Sequence, residues 1–64
     1  MKDETREWLH YAEENLAVAK LALEAGYFNP AIQNAQQTAE KALKAILIEG
    51  DILFPKTHRL RQLK

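Results

Sequence analysis

Cysteine is absent from the 64 residues, which removes disulfide staples, thiolate metal sites and cysteine nucleophiles together. Glycine occurs only at Gly26 and Gly50, 24 positions apart, so no Gly-rich loop is present to cradle a phosphate. Nine Lys/Arg balance nine Asp/Glu, and a net charge of zero lacks the global positive field that draws a protein to nucleic acid. The longest uncharged stretch, Ala25 to Ala39, is too polar to cross a membrane, and no membrane partner is expected. The first residues carry Asp3, Glu4 and Glu7 with no apolar run, unlike a secretion signal, so a cytoplasmic location is the default expectation.

What remains is helix-forming. Ten Ala and nine Leu stand against five Val/Ile, a balance that predicts an all-α chain. Trp8, Ala12, Asn15/Leu16, Ala19 and Leu23 recur at steps of three or four, while His10, Glu13, Ala17, Lys20 and Glu24 share the other face. The pattern predicts an amphipathic helix over about residues 3–25, stopped by Gly26 with positive φ. Asn29 is the expected N-cap and Pro30 the first residue of a second helix, running to about 49 with Gly50 as its C-cap. Its expected inner stripe is Ile32, Ala35, Ala39, Ala42 and Ile46. So short a connection implies an antiparallel helical hairpin. Thr57 is positioned to cap a short third helix from about residue 58, after apolar anchors at Leu53 and Phe54.

The expected core is Trp8, Leu16, Leu23, Ile32, Ala39, Leu43 and Ile46. Between Ala42 and Ile48 only Lys44 is polar, so the second helix is apolar almost all round there. Two helices share one face, and the surplus needs a partner. Either copies pair into a four-helix assembly, or this is the first part of a larger bundle. A chain of this size is marginal alone, and a dimer is the expected state.

Chemistry-bearing residues are few. His10 beside Glu13 and Glu14 reads as solvated surface, and neither a metal nor another cofactor is expected. No Ser–His–Asp set or carboxylate pair can be assembled, so no catalytic residue is assigned. Residues 1–24 hold six acids against three bases, whereas residues 49–64 hold Lys56, Arg59, Arg61 and Lys64 against Glu49 and Asp51. The segment from Gln33 to Lys44 sets Gln33, Gln36/Gln37, Glu40 and Lys44 in a polar ridge, with Glu40 and Lys44 a favourable i,i+4 pair. Such a ridge either fixes the register of a bundle or faces a ligand or partner. His58, at the loop-to-helix junction, is read either as a structural group or as part of the same site. The candidate binding residues are Gln37, Glu40, Lys41, Lys44, His58 and Arg59, with Lys44 and Arg59 placed to meet a phosphate.

The run Gln36-Gln37-x-Ala39-Glu40-Lys41-Ala42-Leu43-Lys44-Ala45, followed by Phe54-Pro55-Lys56-Thr57-His58-Arg59-Leu60, resembles the start of a HEPN domain. The first helix, from Trp8 to Leu23, and Gly26-Tyr27 fit the same pattern. The resemblance implies a single HEPN-like domain over residues 1–64, incomplete as it stands, in an up-down helical bundle completed by dimerisation. It further implies partnership with a minimal nucleotidyltransferase, toxin–antitoxin pairing, and either ribonuclease activity from an Arg-x(4–6)-His motif or a nucleotide-binding role. Nucleotide and RNA are thus the implied ligands. The chain departs from that motif: only three residues separate Arg6 from His10, and Asp51, Ile52 and Leu53 stand where His58 would need an arginine. The alternative to an interaction module is therefore the N-terminal part of a ribonuclease whose Arg and His lie beyond residue 64.

Overall fold

The computed structural model describes residues 1–51. They form two helices, α1 (Asp3–Glu24) and α2 (Phe28–Glu49), packed against each other as an antiparallel hairpin, with no strand among the described residues. The expected third helix, His58 and Arg59 lie outside them.

The turn is built by Gly26. Its φ is +84°, and the amides of Gly26 and Tyr27 donate to the Leu23 and Ala22 carbonyls at 3.0 and 2.8 Å. This paired closure satisfies two carbonyls that the end of α1 would otherwise leave open. The second helix starts two residues earlier than the sequence pattern predicts. Tyr27 occupies the N-cap position and no side chain caps it, so Asn29 does not do so. Pro30 falls inside the first turn, where its missing N–H is still free of cost. At the far end Gly50 is the C-cap, and the left-handed residue is Asp51, with φ +54°.

The side chains fully buried between the helices are all small. The buried side chains are Thr5, Ala12 and Ala19 on α1 and Ala31 and Ala45 on α2. Thr38, half-buried, completes a second series at the same spacing of seven. Between them come half-buried Trp8, Asn15 and Ala22 on α1, and Asn34, Lys41 and Ile48 on α2. Alternating steps of three and four make a coiled-coil seam, and its small members let the helices approach closely. Of the expected core, Trp8 is half-buried, while Leu16, Leu23, Ile32, Ala39, Leu43 and Ile46 are exposed. The expected stripe on α2 is one residue out of phase with the true seam, a rotation of about 100°. Small residues win the seam because they bring two backbones together. The large ones are left for another layer.

The chain's beginning is tied to the end of α2. The Lys2 amide donates to Glu49 Oε1 at 3.0 Å, and its ammonium donates to the Ile48 carbonyl at 2.8 Å and pairs with Asp51. A cation at this place both caps and electrostatically favours a helix C-terminus.

Candidate functional site

The seam divides the hairpin into two unlike sides. On one, α1 contributes Trp8 and Tyr11, whose rings meet edge to face at 5.7 Å. From α2, the Lys44 ammonium stands 4.3 Å from the Trp8 ring centroid and that of Lys41 stands 5.9 Å from Tyr11. These are cation–π distances. Lys41 also donates to Asn15 Oδ1 at 2.7 Å, Asn15 donates to Asn34 Oδ1 at 3.0 Å, and Asn34 donates to the Pro30 carbonyl at 2.9 Å. The Thr38 hydroxyl contacts both the Asn34 carbonyl, at 2.9 Å, and the Ala12 carbonyl across the seam, at 3.3 Å. A half-buried polar chain therefore runs through the middle of the interface with its partners in place.

The polar ridge expected from the sequence is split by this arrangement. Gln37 and Glu40 are exposed, whereas Lys41 and Lys44 are half-buried and folded onto α1. The periodic pattern omits Asn34 and offers Asn15 only as an alternative to Leu16. Their signal was available: each interrupts a small-residue series at seam spacing, where an amide has no use unless a partner faces it.

The other side is apolar. A groove of about 360 Å³ is lined by Met1, Thr5 and Leu9 and by Ala45, Ile46, Glu49 and Gly50. Helical periodicity continues this surface through Leu16 and Leu23 on α1, and through Ala42, Ala39, Ala35 and Ile32 on α2. Leu16, Leu23, Ile32 and Ile46 are 45 to 63% exposed. Burying the exposed part of one such side chain is worth about 1–2 kcal/mol, so the uncovered face is a large source of unrealised stabilisation.

The Glu49 carboxyl is held below its ordinary pKa. The hydrogen bond from the Lys2 amide is the main cause, with the Thr5 hydroxyl second. That hydroxyl is buried and makes no hydrogen bond of ordinary geometry, so its influence on Glu49 is that of a nearby dipole. His10 lies on the exposed surface, 3.9 Å from Glu13 and 3.7 Å from Glu14. No three His, Asp or Glu side chains converge among the described residues. No helix there is long and apolar enough to cross a membrane.

Sequence comparison gives the chain a family. The family model of the HEPN domain matches residues 5–64. The chain belongs to the HEPN family. This HEPN chain is also similar to the protein named Putative toxin MJ1304 of Methanocaldococcus jannaschii, with 44% identity over 43 residues. Those residues are 67% of this chain and 28% of that protein, so the HEPN hairpin corresponds to a minor part of its relative's length. No solved structure matches the chain.

Proposed function

We propose that this chain is an interaction module of toxin–antitoxin type, a HEPN hairpin that forms a homodimer through its apolar face and serves as the partner of a minimal nucleotidyltransferase. The observation that carries the reading is the continuous apolar face around Leu16, Leu23, Ile32 and Ile46, against a seam whose fully buried side chains are four alanines and Thr5. A hairpin that keeps its small residues inside and its large ones outside is built to be covered. The toxin name of the archaeal relative supports the biological setting. Sedimentation equilibrium at micromolar concentration is expected to give twice the 7.3 kDa chain mass. A well-folded, monodisperse monomer would sink the dimer. Co-purification with a minimal nucleotidyltransferase from the same genome tests the second half of the reading, and a nucleotidyltransferase that elutes alone counts against it.

A ribonuclease is the second reading, favoured by the match to a relative of which this chain covers 28%. The reactive Arg and His would then belong to a longer product. RNA cleavage by that product, lost when its Arg-x(4–6)-His residues are replaced, is the expected result. A longer product that leaves RNA intact removes the reading.

A further inference from the structure

On the apolar side, Leu9 and Leu16 lie seven residues apart on α1, and Ala35 and Ala42 lie seven apart on α2. The hydrogen bonds from Thr38 to Ala12 and from Asn15 to Asn34 fix the relative height of the helices. They bring Leu16 level with Ala35 and Leu9 level with Ala42, to within about one residue's rise of 1.5 Å. Outside the leucines, α1 presents Arg6, Glu13 and Lys20. The corresponding border of α2 is uncharged, formed by Ile32, Ala39 and Ile46.

Two copies can stack these faces with two-fold symmetry in two ways. If the axis runs across the helices, α1 lies antiparallel on α1 of the copy. Leucines then oppose leucines and alanines oppose alanines, which leaves the two halves of the interface unequally filled. If the axis runs parallel to the helices, α1 lies on α2 of the copy. Every layer then holds two leucines and two alanines on alternating corners, the large-against-small arrangement that fills a core evenly. The α1 charges now lie along an uncharged border, where their alkyl stems cover Ile32 and Ile46 while their heads reach water.

We propose that a second copy of this chain covers the apolar face with the two-fold axis parallel to the helices, so that Leu9 and Leu16 of each copy fit over Ala42 and Ala35 of the other. The proposal rests on the self-association read above and adds its geometry. The absence of cysteine makes the test direct. Leu16→Cys and Ala35→Cys single variants of the 64-residue chain are mixed, oxidised or treated with a short bis-maleimide, and weighed by mass spectrometry. Mixed Leu16→Cys/Ala35→Cys dimers are expected in several-fold excess over either self-dimer. Predominant Leu16→Cys self-dimers overturn this geometry and leave self-association standing. A monomer by sedimentation overturns both, and gives the face to later residues of the chain or to another protein. Ala35→Leu provides a second test with opposite signs. In the proposed arrangement it overfills the layer under Leu16 and weakens dimerisation at least ten-fold; with the axis across the helices it fills a gap, and association as tight as before rejects the proposal.

Discussion

The Lys41 ammonium reaches across the hairpin to the Asn15 side-chain oxygen at 2.7 Å, placing a cation in a seam whose fully buried side chains are four alanines and Thr5. Because Asn15 passes the chain on to Asn34, removing it strands the Lys41 donor and the Asn34 acceptor, both on α2. Asn15→Leu is expected to lower stability by about 1–3 kcal/mol in urea denaturation at fixed protein concentration. Adding Lys41→Met to that variant should cost much less than Lys41→Met costs alone, since the cation no longer has a partner to lose. Strictly additive losses in this double-mutant cycle would show that the contact carries no coupling.

Ala45 and Ile46 are neighbours in sequence with opposite positions in space. Ala45 is 1% exposed in the seam, and Ala45→Leu should force the helices apart, costing about 1–3 kcal/mol of hairpin stability. Ile46 is 60% exposed on the apolar face, so Ile46→Asp should leave dilute-solution helicity nearly unchanged while abolishing assembly. Circular dichroism and sedimentation read the two effects separately. An Ile46→Asp chain that still assembles would remove this face from the interface.

Gly26 adopts φ +84° with open space around the position of a missing Cβ, so substitution there is costly through backbone strain alone. Gly26→Ala should destabilise by about 1–2 kcal/mol, and Gly26→Asn by less, because asparagine tolerates the left-handed region. Denaturation midpoints should shift with an unchanged denaturant slope. Equal effects of the two substitutions would point away from a left-handed turn.

Glu49 links the fold to pH. Its folded pKa lies below the ordinary 4.5, chiefly through the Lys2 amide. The unfolded chain therefore binds a proton first as pH falls, so the contribution of Glu49 is fully present above that ordinary value and is lost as pH drops through the folded value. Glu49→Gln keeps an acceptor for the Lys2 amide but does not titrate. The stability difference between wild type and Glu49→Gln should be constant near neutrality and shrink in acid. A difference that stays flat to about pH 3 would mean that the carboxylate gains nothing from folding.

Both helices and their antiparallel pairing were legible in the sequence, because Gly26, the excess of Ala and Leu, and the three-four periodicity act locally. On α1 the reading also found Trp8, Ala12, Asn15 and Ala19, where the seam does run. On α2 it chose Ile32, Ala39 and Ile46 over Ala31, Thr38 and Ala45, since hydrophobicity alone ranks isoleucine above alanine and threonine as an inner residue. The candidate site followed the same division. Gln37 and Glu40 are exposed, whereas Lys41 and Lys44 contact Asn15, Tyr11 and Trp8 of the other helix, partners no spacing within α2 could reveal.

The amino-acid sequence by itself determined an all-α hairpin, its turn, its family and an excess of apolar surface, all consequences of propensity and period along one chain. Only the tertiary structure decided which way each helix is rotated. That choice depends on how closely two backbones can approach, and small side chains with satisfied amides allow a closer approach than large ones. The rotation turned Leu16, Leu23, Ile32 and Ile46 outward, and with them the apolar surface through which this chain is proposed to act.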